Sequence, residues 1–87
     1  MLHYLKTEAE YFDAAARGEK NFTVRKDDRG FKVGDYLVKM RFKKGHFTGA
    51  LMFAKVSYKT NFPAGVRKGY VVLGFKTKHI TVVEEWK

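Results

Sequence analysis

The stretch D-Y-L-V-K-M-R-F-K-K-G-H-F-T-G-A-L-M-F-A-K-V-S-Y-K, from Asp35 to Lys59, carries the clearest structural pattern in the chain. Apolar and polar residues alternate on both sides of Gly45–Gly49, and this pattern predicts a β-hairpin with its tip at the glycines. The apolar face predicted for the first strand consists of Tyr36, Val38, Met40 and Phe42. The centre of the sequence therefore predicts a β-rich fold.

Upstream of the hairpin, the sequence predicts a helix over Thr7–Arg17. Thr7 and Glu10 have the spacing of a capping box, and Gly18 is placed to adopt a left-handed C-terminal turn. After Gly18 the period changes to two, which predicts a strand that buries Phe22 and Val24. Thr23 and Arg25 then lie together on its other face.

The remaining segments complete a small α+β fold. His3–Leu5 is a short first strand, and Thr60–Lys68, with its proline and glycine, is a loop. Tyr70–Phe75 and Ile80–Trp86 are two further strand candidates. With 87 residues the chain is expected to be a single domain, 1–87. The predicted architecture is a curved sheet or barrel of about five to six strands with one N-terminal helix.

Composition narrows the class of partner. Lys and Arg number 18 against nine Asp and Glu, and the net charge of +9 favours a polyanionic partner such as nucleic acid. The chain has no cysteine and no apolar run long enough to span a bilayer, so a cytoplasmic protein without a membrane partner is expected. The three histidines are far apart, and neither a metal nor a cofactor is predicted. A monomer is favoured.

The helix-to-strand connection is the first candidate site. Lys20, Thr23 and Arg25 fall within eight residues, and together they can donate hydrogen bonds to a phosphate, a base carbonyl or a carboxylate. Arg29 lies in the turn that follows. The competing interpretation is structural: Arg25 pairs with one of the nearby aspartates, and Lys20 is simply solvated. The aspartates in question are Asp27, Asp28 and Asp35.

The central hairpin is the second candidate surface. Lys39, Arg41 and Lys43 alternate outward on its first strand. Lys55 and Lys59 do so on its second strand, and antiparallel pairing places all five on one outer face. Such a stripe fits phosphate binding, but lysines on an open sheet face also prevent aggregation, and the spacing agrees with both interpretations.

Four segments together resemble a known family. G-E-K-N-F-T-V-R, from Gly18 to Arg25, matches the G-x-K-x-x-[E/T]-x-R signature of ASCH domains in the PUA-like superfamily, and the wider run Glu10–Asp35 resembles the DUF3850 family of small phage and bacterial proteins. H-x-L-K at His3–Lys6, F-T-G at Phe47–Gly49 and G-Y-V-V-L-G at Gly69–Gly74 follow the same order.

The resemblance implies a small PUA-like β-barrel with a cleft near the helix-to-strand turn. Members of the superfamily bind RNA or modified bases, and some ASCH proteins are amidohydrolases that deacylate N4-acetylcytidine with a Lys, a Thr and a Glu. Lys20 and Thr23 match the first two. The Glu has no counterpart, because the segment K-T-N-F-P-A-G-V-R-K at 59–68 contains no carboxylate.

The function predicted from the sequence is therefore binding of nucleic acid, with RNA or a modified nucleotide preferred. The predicted binding residues are Lys20, Thr23, Arg25, Arg29, Lys39, Arg41 and Lys43. Binding is favoured over catalysis; the first alternative is an amidohydrolase acting on an N4-acylated cytidine, with Lys20 and Thr23 as catalytic residues. The second alternative is a phage or bacterial module that docks an acidic protein partner through its basic face.

Overall fold

The structure, a computed structural model, describes residues 1–61 and 65–83. Its elements in chain order are β1 (Leu2–Glu8), α1 (Ala9–Ala16), β2 (Phe22–Lys26), β3 (Tyr36–Lys43), β4 (His46–Thr60) and β5 (Tyr70–Val82). The five strands of these ranges form one sheet in the order β1-β3-β4-β5-β2. β1 runs parallel to β3, and the other neighbouring pairs are antiparallel. The predicted α+β class is confirmed.

The sheet curls because its two longest strands are irregularly paired. β4 has 15 residues and β5 has 13, and their register shifts twice, between Phe53 and Ala54 and between Val56 and Tyr58. Extra residues of this kind bend a strand and increase its twist. The result is a half-barrel whose edge strands, β1 and β2, turn towards each other.

Two arginines bridge the edge strands. Arg25 on β2 donates a hydrogen bond of 3.2 Å from Nη1 to the carbonyl oxygen of Lys6 on β1. Arg29, just beyond β2, donates one of 2.6 Å to the carbonyl oxygen of Tyr4. An edge strand leaves its outward carbonyl groups without ladder partners, and these side chains supply donors to two of them.

The core fills the concave side of the sheet, which we call the inner face. Phe12 and Ala15 of α1 belong to this core, and so does Phe31 of the β2–β3 connection. The strand residues of the core are Leu5, Leu37, Met52, Ala54, Val56, Val71, Leu73 and Phe75. Full burial of a large apolar side chain stabilises a fold by about 1.5–3 kcal/mol, so this cluster is the main source of stability.

The β2–β3 connection is fastened at its buried end by Asp35. Its carboxylate accepts hydrogen bonds from His3 Nε2 at 2.8 Å, from the backbone N–H of Lys32 at 3.0 Å and from the amino group of Met1 at 3.1 Å. The ring of His3 also packs against that of Phe31, with 4.6 Å between centroids. These contacts hold Phe31 in the core.

The start of the predicted helix is wrong. β1 extends through Glu8, which pairs with Phe42, and α1 begins only at Ala9. Thr7 is therefore extended, and its hydroxyl donates to the Leu5 carbonyl instead of capping the helix. Pairing with β3 overrides the capping box, since each ladder residue adds backbone hydrogen bonds that an N-cap cannot replace.

The predicted faces of β2 and β3 are also wrong. On β2, Phe22 and Val24 are about half exposed, because the strand pairs with β5 so that Thr23 and Arg25 lie opposite the buried Leu73 and Val71. On β3 the inner face carries Leu37 and Lys39, the partners of Ala54 and Met52. Among the apolar residues predicted to face the core from β3, Tyr36 is 48% exposed; Val38 is buried, on the opposite face from Leu37 and Lys39.

The hairpin tip is shorter than predicted, and the last two predicted strands are one. Lys44 and Gly45 both have positive φ angles, of 52° and 80°, as in a two-residue type I′ turn. The predicted Tyr70–Phe75 strand and the lysine-rich link after it together form β5, without a break as far as Val82. The end of the predicted Ile80–Trp86 strand lies outside the described residues.

Candidate functional site

The end of α1 shapes a crevice beside β5. Gly18 has a φ of 78°, its N–H donates to the Ala15 carbonyl, and the N–H of Glu19 donates to that of Ala14. This pair of bonds is a Schellman motif, as the position of Gly18 predicts. The adjoining crevice has a volume of about 350 Å³ and is lined by Ala15, Ala16, Gly18, Lys20, Asn21, Phe75, Lys76 and Thr77.

Lys20 stands at this crevice between two aromatic rings. Its Nζ lies 5.3 Å from the ring centroid of Tyr11 and 4.8 Å from that of Phe22, and it donates a hydrogen bond of 2.7 Å to the Phe22 carbonyl. Partial burial lowers the pKa of Lys20. Both rings are about half exposed, so the cation is flanked by apolar surfaces that face solvent.

Thr23 and Arg25 share the inner side of β2, as the sequence predicts. Both are half-buried, and their partners Leu73 and Val71 are completely buried. Burial lowers the pKa of Arg25, as does the charge of Arg29, whereas the charge of Asp28 raises it. Because β2 pairs with β5 in this register, the hydroxyl of Thr23 and the guanidinium of Arg25 lie at the edge of the core.

Lys39 lies on the opposite face of β3 from the one that the alternation predicts. It is 2% exposed, it points inward rather than outward, and its Nζ lies 4.1 Å from the ring centroid of Phe75. Burial above all, with the charges of Lys20 and Arg25, lowers the pKa of Lys39 from 10.5 to about 7. No hydrogen bond or ion pair joins its Nζ to any residue of 1–61 or 65–83.

Lys20, Arg25 and Lys39 form a group of cations that we call the inner cations; of the three, Lys20 is the one that lines the crevice. The repulsion that Lys39 experiences from the other two shows that all three lie within electrostatic range. Phe75 connects them spatially, since it lines the crevice and also contacts Lys39. A buried cation without a counterion is unfavourable in a folded protein, and a bound anion removes the penalty.

The predicted pairing of Arg25 with an aspartate does not occur among the described residues. Asp35 bonds to His3, Asp27 lies 3.4 Å from Lys59, and Asp28 lies 3.9 Å from Arg29. Each of the three aspartates is thus engaged elsewhere, and none of them forms an ion pair with Arg25.

The predicted basic stripe is not one outer face. Lys39 is buried, and Arg41 forms a two-bond pair with Asp13 of α1, at 2.8 and 2.9 Å. Lys59 is half-buried and donates to the Phe31 carbonyl at 2.7 Å. Only Lys43 and Lys55 of the five are exposed on the described strands. The bulges of the β3–β4 and β4–β5 ladders interrupt the regular inward–outward alternation of side chains from which the stripe is predicted.

Catalytic groups are placed as follows. Thr23 lies on the inner side of β2 and Lys20 precedes that strand, and no carboxylate within 1–61 and 65–83 bonds to Lys20, Thr23 or Lys39. Glu19 pairs with Arg17 through bonds of 3.0 Å and does not bond to Lys20. Glu84 and Glu85 lie outside the described residues.

Two kinds of feature are absent from the part of the chain that the structure describes. No three His, Asp or Glu side chains there are grouped so that they could hold a metal ion. α1 has eight residues, and no helix of the described ranges has the length and apolar character needed to cross a bilayer.

The sequence of the chain is similar to a known family and to one phage protein. Residues 2–75 match the family described as "Domain of unknown function (DUF3850)". Over 60 residues the chain is 35% identical to a protein of Escherichia phage P2 described as "Uncharacterized 12.9 kDa protein in GpA 3'region". The aligned part covers 69% of this chain and 55% of the phage protein, so the chain spans about half of that relative's length. The family match includes all three inner cations and Thr23.

Proposed function

The chain belongs to the DUF3850 family, and we propose that it binds nucleic acid, with single-stranded RNA or a modified nucleotide as ligand, in the crevice between α1 and β5. The observation that carries this proposal is Lys39: an ammonium group in the core, on the same face as Thr23 and Arg25, without an anionic partner among the described residues. The PUA-like relationship that the sequence resemblance implies agrees with this ligand class.

The inner cations and their neighbours match the parts of a nucleotide. Lys20 and Arg25 neutralise phosphate oxygens, and Thr23 donates to or accepts from a base or a ribose. Tyr11 and Phe22, half exposed on either side of the Lys20 ammonium, offer faces on which a base stacks for about 1–3 kcal/mol. The crevice volume of about 350 Å³ lies within the range of small-ligand pockets.

RNA is preferred over duplex DNA for a structural reason. Reading the major groove requires a helix with a basic face, and α1 (Ala9–Ala16) contains two acidic residues and no basic one. Unstacked bases, in contrast, fit between aromatic side chains on a curved sheet.

The test is a titration of a labelled oligouridylate of about ten nucleotides, followed by fluorescence anisotropy, against the wild type and two variants. Lys20→Met is expected to weaken binding at least about tenfold, since a charge-assisted contact contributes about 1.5–3 kcal/mol. Lys26→Gln is the matched control, because Lys26 is an exposed lysine of β2 whose side chain points away from the inner face. Equal losses in both variants, or tighter binding of duplex DNA, would contradict the proposal.

An amidohydrolase is the second candidate, and Lys39 is the observation that favours it. Hydrolysis of an N4-acylated cytidine needs a base to accept the Thr23 hydroxyl proton as its oxygen attacks the acyl carbon. The amine of cytidine then leaves with a proton, and water releases the acid from Thr23. With a pKa of about 7, Lys39 is suited to this transfer near neutral pH.

Turnover is tested by incubating the protein at high concentration with N4-acetylcytidine and measuring cytidine by chromatography. Release by the wild type that disappears in Thr23→Val and in Lys39→Met supports hydrolysis. Absence of cytidine after prolonged incubation rejects hydrolysis of this substrate.

A further inference from the structure

A second basic groove lies on the far side of β5 from the inner face. It has a volume of about 370 Å³ and is lined by Val33, Gly34, Lys55, Val56, Ser57, Lys76 and Lys78. Three of these residues are lysines and none is acidic. We call this surface the lysine groove.

The folding of the sheet brings the like charges of these lysines together. Lys55 and Lys76 are direct partners in the β4–β5 ladder, so their side chains project side by side from the same face. Lys78 is the extra residue where the ladder shifts register between Phe53 and Ala54. The side chain of an extra residue at such a bulge projects in a direction that regular pairing does not allow. All three are exposed.

No acidic side chain compensates these charges within the described residues. Lys55 contacts only the ring of Tyr36, with its Nζ 5.7 Å from the centroid. The side chains of Lys76 and Lys78 form no hydrogen bond or ion pair in the ranges 1–61 and 65–83. Adjacent like charges without counterions are unfavourable in the free protein and become favourable against a chain of phosphates.

Lys76 connects this groove with the candidate site. It lines the lysine groove and also the crevice that contains Lys20, so the two cavities meet at this residue of β5. A path of ammonium groups therefore leads from Lys20 past Lys76 to Lys55 and Lys78.

We propose that the lysine groove is a second phosphate-binding site, which takes the backbone of a single strand whose terminal or flipped nucleotide occupies the crevice. The ligand is then an oligonucleotide rather than a free nucleotide. This inference rests on the proposed function, but it makes a separate prediction: the groove contributes to the affinity for a strand and contributes nothing to the affinity for a mononucleotide.

The experiment compares two probes, an oligouridylate of about ten nucleotides and uridine 5′-monophosphate. The variant is Lys55→Gln with Lys78→Gln; Lys76 is left intact because it also lines the crevice. The matched control, Lys26→Gln with Lys44→Gln, removes the same charge from exposed positions elsewhere. Affinities are measured by anisotropy and calorimetry over a series of salt concentrations, and folding is checked by circular dichroism.

The groove variant is expected to bind the oligonucleotide at least about tenfold more weakly than wild type at low salt. The slope of log affinity against log salt should flatten by about 1.4, since each lost phosphate contact on a single strand contributes about 0.7. Uridine monophosphate binding should not change. The control should lose less than about threefold for the oligonucleotide.

Equal losses in the groove variant and the control would overturn the inference, because the effect would then be one of net charge. Unchanged oligonucleotide binding in the groove variant would overturn the inference as well. If the oligonucleotide and uridine monophosphate still bind in a way that depends on Lys20, the proposed function stands even though the inference fails. A wild-type protein that binds neither probe contradicts both proposals.

Discussion

The ammonium nitrogen of Lys39 lies 4.1 Å from the centre of the Phe75 ring, inside the half-barrel. The attraction between a cation and an aromatic face contributes about 2 kcal/mol in a desolvated setting. That contribution does not compensate for removing an ammonium from water without a counterion. The pair is therefore a local cost to stability, and it is the reason for placing ligand binding at this position.

Replacing Lys39 by Met should make the protein more stable and weaken its binding. Met fills a similar volume and removes the buried charge, so at neutral pH we expect the free energy of unfolding to rise by on the order of 2–4 kcal/mol. Urea titration measures this change, and oligouridylate affinity should fall at least about tenfold. A variant that is less stable than wild type at neutral pH would show that Lys39 has a stabilising partner.

The stability of the wild type should depend on pH through the same residue. The pKa of Lys39 falls from 10.5 to about 7 on folding, so between these values the unfolded chain binds a proton that the folded protein has released. Stability therefore rises with pH from about 7 to about 10.5, and below about 7 the full penalty is present. Urea titrations across this range should show the difference between wild type and Lys39→Met shrinking as pH rises.

Arg29 should contribute to stability through β1. Its hydrogen bond to the Tyr4 carbonyl joins the two edges of the sheet, and Arg29→Gln is expected to lower the free energy of unfolding by about 1 kcal/mol. Amide hydrogen exchange should accelerate in Leu2–Glu8. Lys26→Gln again serves as control, since the Lys26 side chain forms no hydrogen bond or ion pair with β1; equal acceleration in both variants would remove the bridging role.

Asp35 should set the acid limit of folding. The hydrogen bond from His3, together with the Met1 amino group and the Lys32 N–H, lowers the pKa of Asp35 from 3.8 to about 2 despite the opposing effect of burial. Its contribution is therefore complete above about pH 4 and is lost as pH falls through about 2. Melting temperatures of wild type and Asp35→Asn should differ at neutral pH and converge towards pH 2. Asp28→Asn, at an exposed position, should show no such convergence.

Gly18 should be sensitive to any side chain. No atom would lie within 4 Å of an added Cβ, so the strain of Gly18→Ala comes from its φ of 78° alone. We expect a loss of about 1 kcal/mol in thermal denaturation. Gly18→Asn should lose less, because Asn tolerates the left-handed region better. Equal losses for Ala and Asn would indicate a cause other than backbone conformation.

Much of the candidate site could be predicted from local spacing. The parity of Thr23 and Arg25, the left-handed turn at Gly18 and the position of Lys20 after the helix all depend on contacts within a few residues. Lys39 could not be placed in the same way, because β3 carries apolar residues of both parities. A signal was present in Leu37, which shares the parity of Lys39, but only the partners Leu5 and Met52 decide which parity faces the core.

The amino-acid sequence by itself determined the α+β class, the order of helix and strands, the positive charge and the residues of the helix-to-strand turn, because these follow from composition and short-range periodicity. Tertiary structure decided which face of each strand is buried, where β1 ends, how the arginines join the sheet edges and that Lys39 lies inside. The physical reason is that register between distant strands sets side-chain direction, and one residue of shift exchanges the buried face for the exposed one.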